Sequence, residues 1–372
     1  MSKASIFLFL HLFIAGCVLA QDSRINPALL KGSWSADWIT CPGVSQRAYG
    51  VYHFRKTLSL DKVPPQFIVH VSADNRYRLF VNGVAVCFGP ARGDLYNWNF
   101  ETIDLAPYLK TGDNIIAALV WNMGEYAAVA QVSNQTGFVL QGDTGNEAAV
   151  NTNKFWKVSK DNAYQPCSLD NGARLRTYMV IGPGDSVQAS AYPWGWETGT
   201  YSDKDWLTAV AITKPVPLGY GTDNLWTLVP RSIPLMEERL QRIPAVRKVE
   251  GTDKAVNFIS GQQPLTIPAH SSVRILFDQT FNTVAYPELL VSEGKDAVIT
   301  LTYAEALFDS KRQKGNRNKV DGMQMMGNYD VFVADGGQNR LFRPLWQRTF
   351  RYLQLAVTTP CTHYNGDFNT LH

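Results

Sequence analysis

The sequence predicts an all-β chain, two β-sandwiches in tandem joined by a Pro-rich linker. Three observations carry that prediction. Tyr77, Leu79 and Val81 alternate with Arg76, Arg78 and Phe80, a period-2 pattern with one buried face. Similar short runs recur along the chain, separated by Gly, Asn and Pro, which suits sandwiches better than βαβ units. No segment keeps a helical period over several turns.

The first twenty residues read as an export signal. Lys3 supplies the positive charge, Ile6 to Ile14 an apolar stretch, and Val18-Leu19-Ala20 the small or modest side chains of a cleavage site. Ile14-Ala15-Gly16-Cys17 also matches a lipobox, in which Cys17 would be lipidated. Both readings place the protein outside the cytoplasm, in the periplasm or at the cell surface. No later apolar stretch reaches the length of a membrane-spanning helix.

Strands are then expected at 67–71, 76–81, 84–88, 114–121, 137–141 and 155–159, with Asn82-Gly83 as a two-residue hairpin turn. These belong to a first sandwich, 21–213. The stretch 214–245 carries Pro215, Pro217, Pro230, Pro234 and Pro244 and should run extended, with room for one short helix at 235–243. Strands resume at 272–278, 285–291, 297–304, 329–334 and 350–357, a second sandwich spanning 246–360. Between them, 311–319 is a basic, Asn-rich loop, read as solvated. Each sandwich is expected to fold as its own cooperative unit.

Composition narrows the function classes. Of 372 residues, 45% are hydrophobic and 18% charged, which is globular, and a net charge of +3 gives no footprint for nucleic acid. Ten Trp and sixteen Tyr offer flat apolar faces with a polar handle, as carbohydrate surfaces need, though most should be core. Cys41, Cys87, Cys167 and Cys361 lack close paired spacing and read as free thiols. The six His are scattered, so zinc has no support.

Several segments, in order, resemble the N-terminal region of α-L-rhamnosidases of glycoside hydrolase family 78: SADNRYRLFVNG at 72–83, GPARGD at 89–94, FETIDLAPYL at 100–109, LVPRSIP at 228–234, YAE at 303–305 and TFRYL at 349–353. The resemblance implies jelly-roll or galactose-binding-like sandwiches preceding an α/α catalytic barrel. It also implies removal of terminal L-rhamnose from a glycan or glycoside with inversion, by one carboxylic acid and one carboxylate base. The barrel is expected beyond His372, with 361–372 beginning the connection. No catalytic residue is therefore assigned here, and Glu101, Glu305 and Asp330 read as structural or solvated.

The first sandwich also resembles rhamnose-binding carbohydrate modules of family 67, which hold the sugar through calcium. That resemblance implies Asp74, Asn75 and Asn122 as oxygen ligands of Ca2+, with Trp98 beside the sugar. Such a mixture of carboxylate and amide oxygens suits calcium. The other reading of Asp-Asn before a strand is turn chemistry, and Trp98 can be core. Arg92 and Asp94 either line the same edge or pair with each other. Tyr192, Trp194, Trp196 and Tyr201 are a sugar platform or packing under a loop, while Tyr220 and Trp226 should fasten the linker. The leading functional reading is a non-catalytic sugar-binding region of an exported rhamnosidase. The alternatives are a standalone surface lectin or scaffold, and a hydrolase with carboxylates facing across a cleft between the sandwiches.

Overall fold

The structure, a computed structural model, describes residues 24–167, 181–220 and 226–360 and the backbone of Asn369–Leu371. The export signal, Cys17, Cys361 and the stretch 361–368 lie outside the described residues. The first fifteen strands are β1 (Trp38–Thr40), β2 (Gly50–Leu60), β3 (Ile68–Asp74), β4 (Arg76–Val81), β5 (Val84–Gly89), β6 (Trp98–Asp104), β7 (Gly112–Asn122), β8 (Gly137–Gly142), β9 (Lys157–Asp161), β10 (Tyr164–Pro166), β11 (Asp185–Gln188), β12 (Leu207–Thr208), β13 (Val210–Thr213), β14 (Val216–Pro217) and β15 (Thr227–Pro230). The remainder are β16 (Ala245–Glu250), β17 (Leu265–Ile267), β18 (Ser272–Ala285), β19 (Leu289–Ser292), β20 (Val298–Ala304), β21 (Asn328–Val333), β22 (Arg340–Phe342), β23 (Arg348–Thr358) and β24 (Asn369–Leu371), with one short α-helix among the described residues, α1 (Ala255–Ile259).

Two sandwiches are present. The first pairs a seven-stranded sheet, β13-β1-β8-β3-β6-β15-β14, with a six-stranded one, β12-β9-β2-β7-β4-β5. The second pairs a seven-stranded sheet, β10-β11-β21-β20-β23-β18-β16, with a four-stranded one, β17-β24-β19-β22. The expected Asn-Gly hairpin joins β4 to β5: Asn82 and Gly83 have φ of 53° and 85°, the two positive values a type I′ turn requires.

Alternation along the strands explains the cores. Tyr52 and Phe54 of β2 and Ile116, Ala118 and Val120 of β7 point into the first sandwich. Val51, Ile115, Ala117, Leu119 and Trp121 point the other way, into a cluster shared with Ile275, Leu301, Phe350 and Leu355 of the second. One hydrophobic core therefore runs from the outer face of the six-stranded sheet into the second sandwich, rather than two separate ones. The outer face of the seven-stranded sheet of the first sandwich is covered too, by Trp34, Trp38, Trp98, Trp226 and Leu228.

Several expectations require correction. The chain does not divide linearly: β10 and β11, from the stretch expected in the first sandwich, join the second, where β11 runs parallel to β21. Conversely β14 and β15, within the expected linker, extend the first sandwich through parallel pairing of β15 with β6. No helix forms at 235–243. Leu235, Met236 and Leu240 are exposed, Leu240 at 87%, and only Ile243 at its end packs on the core, so no packed face rewards a helix flanked by Pro234 and Pro244. The stretch expected as one strand at 285–291 is split, because Pro287 has no N–H to give the ladder. The basic loop is exposed from Lys311 to Lys319 and tied at its far end by Arg351 Nη1 donating to Asn318 Oδ1 at 2.7 Å.

Candidate functional site

The end of β3 and the end of β7 bring Asp74, Asn75 and Asn122 together. The Asn75 amide donates to the Trp121 carbonyl at 3.0 Å, which fixes the chain reversal between β3 and β4 beside β7. Around Asp74 the carboxylate accepts on both oxygens. Its Oδ1 takes Asn75 Nδ2 at 2.8 Å and Ser133 Oγ at 2.7 Å. Its Oδ2 takes the Asn134 amide at 2.7 Å, the Gln135 amide at 3.3 Å and Trp226 Nε1 at 2.9 Å. Burial pushes the Asp74 carboxyl up, and the bonds from Ser133, Trp226, Asn134 and Asn75 oppose that. Trp226 stacks on Trp38 with ring centroids 4.5 Å apart. Its φ of 64° is an unfavourable place for a bulky residue, and the stacking and the bond to Asp74 hold it there.

The amide oxygens are engaged as well, each by one donor. Asn75 Oδ1 accepts from the Met123 amide and Asn122 Oδ1 from the Gly124 amide, both at 2.8 Å, while Asn122 Nδ2 donates to Ser133 Oγ at 3.1 Å. A calcium ion needs several oxygens at about 2.3–2.6 Å with lone pairs turned toward it. Here the Asp74 lone pairs all face N–H and O–H groups, and each amide oxygen already holds one N–H, so the donor set as folded does not fit the ion. Among the described residues no group of three or more His, Cys, Asp or Glu could hold a metal.

Access separates the remaining candidates. Asp74, Asn75, Asn122 and Trp98 are 0%, 1%, 1% and 3% exposed, whereas Arg92 is open to solvent. Trp98 lies in the apolar cluster of Trp226, and its buried indole N–H finds no acceptor among the described residues. Arg92 does not pair with Asp94. Asp94 instead accepts from the amides of Tyr96 at 2.8 Å and Asn97 at 2.9 Å, ordinary turn capping, and leaves Tyr96 61% exposed at the loop tip.

The carboxylates considered for catalysis have other partners. Glu101 is buried at the root of the GPARGD loop, accepting from Tyr77 Oη at 2.7 Å, the Ala91 amide at 2.8 Å and Arg231 Nη1 at 3.1 Å. Arg231 also donates to the carbonyls of Ile233 and Pro234, so this carboxylate moors the Pro-rich segment. Asp330 lies at the junction of the sandwiches, bonded by Arg348 and by Tyr303 Oη at 2.6 Å, and Arg348 reaches Asp185 at 3.3 Å as well. Burial, with the neighbouring Asp330 charge adding and Arg348 opposing, pushes Asp185 up to about 7. Both carboxylates are enclosed, so the junction presents no open cleft between them. Glu305 is half-exposed, 3.6 Å from Lys314.

The aromatic stretch is packing, not a platform. Trp196 is buried against His53 at 4.2 Å and Phe80 at 5.5 Å, Arg340 covers Trp194 at 4.6 Å, and Tyr201 meets Arg55 at 5.7 Å. His53 in turn bonds Asp161 at 2.8 Å. Of the pair expected to fasten the linker, Trp226 does so and Tyr220 is exposed. Cys41, Cys87 and Cys167 are free thiols.

No family model and no curated protein matches the sequence. Solved structures do match the fold. A family 78 rhamnosidase of Bacillus sp. GL1 aligns over 92% of this chain and 54% of its own, with TM-score 0.71 and 13% identity. The α-L-rhamnosidase of Aspergillus terreus aligns over 91% of this chain and 36% of its own, with TM-score 0.55 and 15% identity. That of Streptomyces avermitilis, complexed with L-rhamnose, aligns over 87% and 29%, with TM-score 0.50 and 16% identity. Nearly the whole described chain thus shares the fold of one part of α-L-rhamnosidases, and spans about half or less of their length.

Proposed function

We propose that this chain is the non-catalytic, sugar-associated β-sandwich region of an exported α-L-rhamnosidase-type glycosidase, acting on an L-rhamnose-containing glycan. One observation carries the reading: both sandwiches, in order, align with a family 78 rhamnosidase over 92% of the chain. Supporting it, an inverting glycosidase needs an acid and a base about 6.5–9.5 Å apart across an accessible cleft. Glu101, Asp185 and Asp330 are buried and committed to arginines. The acid–base chemistry is assigned to a separate catalytic barrel.

Sugar contact falls to the residues that reach solvent on the first sandwich. Arg92 supplies donors for hydroxyls and Tyr96 a ring face at the tip of the same loop. The experiment is calorimetry of L-rhamnose into the chain, beside an assay with aryl α-L-rhamnoside. Binding in the range of about 0.01–1 mM, lost in the double variant Arg92→Ala/Tyr96→Ala, and no turnover, are expected. Absence of rhamnose heat sinks the sugar assignment. Turnover that disappears on mutation of one acid of this chain sinks the non-catalytic one.

A further inference from the structure

The Asp74 cluster can be assigned a role independently of the sugar reading. Five protein donors converge on one carboxylate, and they come from three separate places. Asn75 is its neighbour. Ser133, Asn134 and Gln135 lie on the long connection between β7 and β8, and Trp226 immediately precedes β15. An ionised carboxylate offers about four lone-pair directions, so this set saturates it. Each donor also turns the positive end of a dipole toward Asp74, which compensates a buried anion and opposes a cation in the same place.

We infer that Asp74 is a metal-free pin: its buried charge closes the 123–136 connection and the Trp226 segment onto the first sandwich, and it takes no calcium. Asn75 and Asn122 belong to the same device. Their side-chain oxygens hold the amides of Met123 and Gly124, the first turn of that connection, and Asn122 Nδ2 steadies the Ser133 hydroxyl that reaches Asp74. Each end of the connection is thus fastened to the same short stretch of backbone at the tips of β3 and β7.

Two measurements test the assignment. In the first, calcium chloride is titrated into the intact chain by calorimetry, and thermal melts are taken with calcium and with chelator. No binding heat and coincident melts are expected. One equivalent of bound calcium with a raised melting temperature overturns the inference, because the ion would have displaced the donors. In the second, amide hydrogen exchange is compared between the intact chain and Asp74→Ala, with Trp226→Phe as a milder variant that removes one donor and keeps a ring on Trp38. Exchange of the Asn134 and Gln135 amides should speed up at least about tenfold in Asp74→Ala, and less in Trp226→Phe, while amides in the middle of β7 stay protected. Unchanged protection of Asn134 and Gln135 in both variants overturns it. Should Asp74→Ala fail to fold, the calcium titration and the Trp226→Phe exchange still decide.

Discussion

Among the described residues Arg348 is the only cation bonded to the two carboxylates at the sandwich junction, and replacing it by Met should be costly in a pH-dependent way. Its side chain is 1% exposed, and those of Asp330 and Asp185 are 0% and 4% exposed. Arg348→Met leaves two buried carboxylates side by side, and the relief open to them is to bind a proton. Holding a carboxyl of ordinary pKa 3.8 protonated at pH 7 costs about 4 kcal/mol. At pH 5 the same proton costs about 2 kcal/mol. The first figure agrees with the roughly 3–5 kcal/mol typical of breaking a buried ion pair. The sign in the intact protein runs the same way. Asp185 is raised to about 7 when folded, so its contribution to stability is full below about 3.8 and lost as pH climbs through 7. The variant should steepen that fall. Urea melts followed by Trp fluorescence at pH 7 and pH 5 measure both losses. A loss below about 1 kcal/mol at pH 7, or equal losses at the two pH values, would refute the reasoning.

Three further outcomes are expected. A Cβ at Gly89 would sit 2.3 Å from a Glu101 carboxylate oxygen, so Gly89→Ala should cost at least about 1–3 kcal/mol in urea melts and loosen the GPARGD loop. Leu119→Ala removes a buried side chain from the face of β7 that meets the second sandwich and should cost about 2–5 kcal/mol, seen as one shifted transition rather than a split one. Glu101→Gln weakens the mooring of Arg231, and limited proteolysis should then cut the 231–244 segment several times faster while the sandwiches persist.

Legibility in the sequence followed the range of the interactions. The hairpin of β4 and β5 was readable because its whole cause, alternation plus Asn82-Gly83, lies within a few residues. The same signal sat unread in β2, where Tyr52, Phe54, Leu58 and Leu60 alternate with His53, Arg55, Thr57 and Ser59. His53 and Arg55 are nonetheless buried, because Asp161 and Asp203 meet them from far along the chain. β11 and β14 are four and two residues long and carry no period to detect. The grouping of Asp74, Asn75 and Asn122 was legible from family resemblance, yet what the group holds was not. Ser133 and Trp226 lie 59 and 152 residues from Asp74, and nothing in their local sequence announces a shared carboxylate.

The exchange of strands between the two sandwiches bears on how such a region can be inherited or cut. β11 pairs with a strand 145 residues downstream, while β12 to β15 turn back to the first sheets after it. A recombination point placed in the Pro-rich segment would therefore deliver a second half whose β21 edge is bare, next to an arginine deprived of Asp185. The first half would trail a hairpin with nothing to pair. An exposed ladder of this kind invites association with other chains. The two bodies are thus a single heritable unit: a fragment beginning at 246 should precipitate or pair with itself, whereas one carrying residues 24–372, and with them β24 between β17 and β19, should remain soluble.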